Sequence, residues 1–259
     1  MKTIINWMCR IISVVSGKGG VGKTTLVANL GAYLVEKGKN VILVDANLSG
    51  ANLGLHLDIP YNYTFSLNSL LKGKIPPSEA IFTHFLGFEI IPASIVDMEI
   101  NPRRLKHILK KISKDKDFII IDSAPGINHE ALASIESSDE ILLVTTPEIP
   151  AIVDVLRSKK LADSCGKKIL GTIINRSRGE NFEIEDKHIQ DILEVPIISK
   201  IPEHKKVRES VAMKIPVVVY APYSKASIEI KRVAHFLLEE EMPKISLKQK
   251  IIYFIKDKI

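Results

Sequence analysis

The sequence predicts an α/β fold in three layers, a mostly parallel β-sheet with helices on both faces. Two patterns carry the expectation. Short apolar runs rich in Ile and Val alternate with helix-length amphipathic segments through most of the 259 residues, as in right-handed βαβ units. The runs are continuously apolar instead of alternating with polar residues, as strands covered on both faces are. A third observation marks where the chemistry lies: a glycine-rich turn follows the first run and opens a helical segment. With 46% hydrophobic residues the chain can bury one substantial core, so one domain is expected.

In chain order, the predicted strands cover residues 11–16, 41–45, 88–92, 118–122, 141–145 and 169–175, with a weaker one at 196–200. The first predicted helix covers residues 25–37. In open parallel sheets, ligands bind beyond the carboxyl ends of the strands. Those ends carry Ser16 and the residues after it, Asp45, Asp122, Thr145 and Asn175, so polar groups gather where the fold rule wants them. Residues 1–10 read as an N-terminal extension and 11–241 as the folded domain. The character changes after Glu239-Glu240-Glu241, which leaves 242–259 as a basic tail.

Residues 16–25 read SGKGGVGKTT, and from Gly17 to Thr24 they satisfy G-x-x-x-x-G-K-[ST], the phosphate loop of P-loop NTPases. Gly17, Gly19, Gly20 and Gly22 let backbone N–H groups, those of Lys18 and Val21 among them, turn onto a phosphate. Lys23 reaches the β- and γ-oxygens of a bound nucleotide, and the Thr24 hydroxyl can ligand Mg²⁺. Thr25 opens the helical run, whose dipole adds to the attraction. Asp122 closes the run FIIID, where a carboxylate can hold Mg²⁺, usually through water. One lysine suffices for this task, and Lys18 is a second.

Together, SGKGGVGKTT, the strand end LLVTTPE and the segment FIIIDSAPG resemble the deviant Walker A ATPases, the group of MinD, ParA and the nitrogenase iron protein. The resemblance spans roughly residues 11–238 and is closest to archaeal-type MinD-like chains, through SGANLGLHLDI, FEIIPAS, TTPEIPAIVD and IPEHKKVRESVAMKIPVVVYAP. Pro147-Glu148 with the later Asp154 fits that branch, and neither Cys9 nor Cys165 matches the cluster cysteines of the iron protein.

In this family the first loop lysine touches the nucleotide held by the other subunit, so the resemblance implies that Lys18 serves a homodimer formed in the ATP state. It also implies that Asn175 reads adenine with its side-chain amide and that Pro202-Glu203 flanks the base. Where the family usually has Asp-x-Asp, this chain has Asp45 and then Asn47. Asp45 joins Thr24 and Asp122 as a metal-site candidate. Asn47 stands where the second Asp orients or deprotonates the attacking water. An amide cannot take a proton, and a missing general base costs about 10²–10⁴ in rate. Normal ATP binding, slow hydrolysis and a long-lived ATP dimer are expected.

The net charge of +6 suits anionic partners without choosing among them. Two well-separated cysteines argue against a disulfide framework or a zinc site and fit a reducing cytoplasm. The start MKTIINWMCR does not read as a signal peptide, and no stretch approaches the about 20 apolar residues of a membrane span. Any bilayer contact is therefore expected to be peripheral, at the inner face of the cell membrane.

The tail KISLKQKIIYFIKDKI, residues 244–259, holds five lysines and one aspartate. On a helical wheel Leu247, Ile251, Phe254 and Ile255 share a face, widened by Ile252, with Lys250, Lys256 and Asp257 opposite. MinD-like chains end in such a helix, so the resemblance implies an anionic membrane surface as partner. The competing class is a ParA-type DNA-partitioning ATPase that binds duplex nonspecifically with steep salt dependence. Against it, the basic clusters outside the tail read as ordinary helix faces. An unidentified protein partner, whose assembly the chain would position, is also compatible.

Overall fold

A computed structural model describes residues 9–60, 64–94 and 104–243. The chain runs β1 (Arg10–Val15), α1 (Lys23–Glu36), β2 (Val41–Ala46), α2 (Leu53–His56), α3 (Leu67–Leu71), α4 (Pro77–Ala80), β3 (Phe82–Thr83) and β4 (Glu89–Ile91). It continues through α5 (Leu105–Ile112), β5 (Phe118–Ser123), α6 (His129–Ser137), β6 (Glu140–Thr145), α7 (Ile149–Ser164) and β7 (Lys168–Ser177). The last elements are α8 (Asp186–Leu193), β8 (Ile197–Pro202), α9 (Lys205–Ala212), α10 (Val217–Tyr220) and α11 (Lys225–Leu238). The tail residues Leu247, Ile251, Ile252, Phe254 and Ile255 lie outside the described residues.

The eight strands form one sheet in the order β3-β4-β2-β5-β1-β6-β7-β8, parallel except for the β3–β4 pair. Seven of them coincide with the predicted runs. β3 was not expected, because two residues are too short to show any periodicity. It is placed by the hairpin turn that follows, where His84 N donates to Phe88 O at 2.8 Å. β1 opens one residue earlier than its run, at Arg10, whose guanidinium donates to Glu140 Oε2 at 2.7 Å and lies over the Phe118 ring.

The continuously apolar runs are explained by burial on both faces. In β2, Leu43 packs with Leu30 and Leu34 of α1, while Ile42 and Val44 pack with Leu67 of α3 and Leu105 and Leu109 of α5. In β6, Leu142 faces the α1 side and Ile141 and Leu143 meet Ile152 and Val155 of α7. Because the strands other than β3 run parallel, their carboxyl ends share one rim of the sheet, and the phosphate loop, Asp45, Asp122, Thr145 and Asn175 lie there.

Candidate phosphate-binding site

β1 delivers the loop and α1 receives it. Gly22 caps α1 with φ of 93° and no side-chain hydrogen bond, which leaves the first-turn N–H groups free for an anion. Gly17 is required by space, and Gly22 chiefly by its positive φ. A Cβ at Gly17 would lie 2.0 Å from the Asp154 carbonyl carbon, because the loop backbone rests on α7. A Cβ at Gly22 would lie 2.2 Å from Asn175 Nδ2.

Lys23 begins α1 and is only 7% exposed. Its ammonium donates to Ser16 Oγ at 2.6 Å, and Ser16 Oγ in turn donates to Lys18 O at 2.8 Å. Burial pushes the Lys23 pKa down, with Asp122 acting in the opposite sense. Ser16 is thus a site residue that the loop motif does not name; its signal is its place at the strand end just before Gly17.

Thr24 Oγ1 donates to Asp122 Oδ2 at 2.6 Å. Asp122 Oδ1 is buried with no hydrogen-bond partner. An unpaired buried carboxylate oxygen is costly, and a cation, direct or through water, satisfies it. A hydroxyl and a carboxylate beside a phosphate site fit Mg²⁺, which takes few protein oxygens and completes its shell with water and phosphate. No group of three or more His, Cys, Asp or Glu forms a dedicated metal cage among the described residues.

Asp45 lies opposite Asp122 in the register of β2 and β5. Its carboxylate accepts from the backbone N–H groups of Asn47 at 3.2 Å, Asn52 at 3.1 Å and Leu53 at 3.0 Å. It therefore closes the turn after β2. Burial and then the charge of Asp122 push it up to about 8. Asn47 is also engaged: its Nδ2 donates to Gly50 O at 2.7 Å. Neither side chain is bonded to the loop or to Asp122.

Lys18 turns back onto its own chain, with Nζ 3.1 Å from Glu148 Oε2. That contact holds the Glu148 carboxyl below its usual range. A cavity of about 200 Å³ opens beside it, walled by Lys18, Gly19, Pro147, Arg178 and Phe182.

A second cavity of about 330 Å³ lies on the other side of the loop, walled by Gly22, Thr25, Asn175, Pro202 and Glu203 among others. The structure thus brings together the three residues assigned to the base. Asn175 Nδ2, however, donates to Val21 O at 2.7 Å, so its amide also holds the loop. Arg176 stands on this wall too and was not singled out in the sequence; its Nη1 donates to Gly20 O at 3.2 Å and its Nη2 to Glu203 at 3.2 Å. No helix among the described residues is long and apolar enough to cross a membrane.

Residues 8–238 match the family model described as ParA, NUBPL iron-transfer P-loop NTPase. An ATP-binding protein of Methanocaldococcus jannaschii is 37% identical over 91% of this chain and 90% of its own. Two solved structures are similar at 35% identity. The Pyrococcus furiosus cell division ATPase MinD has a TM-score of 0.84, with 90% of this chain and 99% of that one covered. The septum site-determining protein MinD of Pyrococcus horikoshii, complexed with Mg-ADP, has a TM-score of 0.83 and covers 97% of this chain and 100% of its own.

Proposed function

This chain belongs to the ParA/MinD family of P-loop NTPases, and on that premise we propose that it is a Mg²⁺-dependent ATPase that forms a homodimer with ATP. In this reading it binds an anionic membrane surface peripherally and acts as a spatial regulator of cell division or of another assembly. The observation that carries the reading is the cluster of Lys23, Thr24 and Asp122, with one carboxylate oxygen left for a cation. The Mg-ADP complex of the Pyrococcus horikoshii neighbour supports the nucleotide and the metal. Its name and that of the cell division ATPase support the division role.

The chain's own groups divide the work. The loop amides and the N-terminus of α1 receive the phosphates, and Lys23 exchanges Ser16 for a phosphate oxygen. Mg²⁺ held near Thr24 and Asp122 would neutralise charge building on the transferred phosphate. Asn47 can accept a hydrogen bond from water but cannot take its proton, so turnover is slow. The cavity bounded by Asn175, Pro202 and Glu203 takes the base.

Dimerisation requires Lys18 to leave Glu148 and reach across. The exposure of Phe182 and Ile149 on the loop side, 81% and 67%, supports an apolar face suited to a second copy. Residues 242–259 supply the lipid contact. One such segment binds marginally, but two on a dimer act with an effective concentration that raises avidity by about 10²–10⁴. The chain accordingly sits in the cytoplasm and at the inner face of the cell membrane, where it meets a further protein partner.

Co-sedimentation with anionic liposomes tests the reading, in ATP, in ADP and without nucleotide, for the full chain and for one ending at Pro243. Pelleting that needs both ATP and residues 244–259 is expected. A protein that stays in the supernatant in every state refutes membrane binding; ATP-dependent retention on duplex DNA would then mark the partitioning class.

A further inference from the structure

We propose that Arg176 is a positioning residue for nucleotide binding, which forms with Asn175 a two-pronged strap on the outside of the phosphate loop. The inference rests on the nucleotide reading above and adds a residue that the loop motif does not contain.

The two side chains reach consecutive carbonyls. Asn175 Nδ2 donates to Val21 O at 2.7 Å, and Arg176 Nη1 donates to Gly20 O at 3.2 Å. Neighbouring residues of a regular strand point to opposite faces, so two adjacent side chains meet one loop only if the strand departs from that geometry. β7 does so here. Its pairing with β8 shifts register between Ile174 and Ser177, and Arg176 has φ of 58°. A non-glycine residue in this left-handed region is unfavourable and persists where its surroundings hold it. The Arg176 guanidinium is held from the far side by Glu203, which also bonds Arg178 and donates its own N–H to Ser177 O at 2.8 Å.

The effect of the strap follows from the peptide plane. In a trans peptide the C=O and the N–H point in opposite directions. The Gly20 carbonyl shares its peptide with the Val21 N–H, and the Val21 carbonyl shares its peptide with the Gly22 N–H. Holding both carbonyls toward β7 turns these two N–H groups the other way, toward the interior of the loop. Gly20 and Gly22 have φ of 77° and 93°. Glycines offer little steric resistance to peptide reorientation, so the restraint comes from the strap. Because Arg176 walls both cavities beside the loop, a single side chain borders the base site and the Lys18 side.

Arg176→Gly and Arg176→Asn both suit the left-handed backbone and lack the guanidinium. Three quantities are compared with the parent: backbone order parameters of residues 19–22 without nucleotide, ATP affinity, and the thermal unfolding midpoint. The order parameters are expected to fall from about 0.85 toward about 0.6, and the ATP Kd to rise about tenfold, as for loss of a hydrogen bond to a charged group. The midpoint of Arg176→Gly stays unchanged or rises, because the strain is relieved. Unchanged loop order with an affinity within twofold of the parent in both variants overturns the strap. So does a lowered midpoint without selective loss of loop order, since that marks a general structural role. If the parent itself binds no ATP, the nucleotide reading fails, while loop order still decides the strap.

Discussion

Asp45 and Asp122 stand opposite each other in the register of β2 and β5, both fully buried, and the charge of Asp122 makes Asp45 harder to ionise. Asp45 has three backbone donors to compensate it, whereas one oxygen of Asp122 has none. Replacing Asp122 by Asn removes that buried charge. Asp122→Asn is expected to raise the stability of the nucleotide-free protein by about 1–2 kcal/mol and to abolish the dependence of ATP binding on Mg²⁺. Denaturant unfolding and titrations with and without Mg²⁺ measure the two effects. A variant both less stable and still Mg²⁺-dependent contradicts the assignment.

Asn47→Asp restores a proton acceptor beside the site and is expected to speed ATP turnover by about 10²–10⁴. The same change removes the donor to Gly50 O, a bond of 2.7 Å, and lowers stability by about 1 kcal/mol. Steady-state phosphate release settles the first point; equal rates would sink the idea that the amide slows hydrolysis.

The Lys18–Glu148 pair is partly exposed, so its loss costs less than about 1 kcal/mol of stability. Lys18→Ala is therefore expected to keep monomer ATP affinity within about threefold of the parent while losing the ATP-dependent dimer. Light scattering on eluting protein reads the oligomer directly. A dimer that persists in the variant excludes a bridging role for this lysine.

Gly17→Ala places a methyl 2.0 Å from the backbone of α7. Neither backbone can yield without moving the loop, and overpacking costs about 1–3 kcal/mol or more. Loss of both stability and nucleotide binding is expected. Normal binding with a normal melting curve would mean that the loop does not rest on α7.

His235 is 3% exposed, receives or donates one bond with the Tyr33 hydroxyl at 3.0 Å, and has a buried Nδ1 with no hydrogen-bond partner. Burial, then Lys37, push its pKa below 6.5, with Glu240 opposing and Lys231 reinforcing the shift. The unfolded chain binds this proton more readily than the folded one. Stability is therefore complete above pH 6.5 and falls as pH drops below it. Melting curves between pH 7.5 and about 5 test this, and His235→Gln should flatten the decline. A decline of the same slope in the variant assigns it to other groups.

The strand runs were legible because burial on both faces leaves a continuous apolar signature, as Ile42, Leu43 and Val44 illustrate with their two opposite packing partners. Lys23, Thr24 and Asp122 were legible because phosphate chemistry demands fixed residue types at fixed spacing. Arg176 was not, since an exposed arginine in a sequence carries no mark of the backbone angle that turns it onto the loop. The sequence places Ser16 at the rim but gives it no role: a serine at a strand end has many uses, and only the 2.6 Å contact with Lys23 shows which one applies.

By itself, the sequence determined the sheet, the rim at which its polar residues gather, and the residues proposed to meet phosphate and cation. Those features follow from periodicity and local spacing, which a linear chain records. The tertiary structure alone decided that Asp45 closes a turn, that Lys18 rests on Glu148, and that Asn175 and Arg176 hold adjacent carbonyls of the loop. The contacts of Lys18, Asn175 and Arg176 join residues distant along the chain, and the Asp45 turn depends on where nearby backbone N–H groups point; neither is written in residue type.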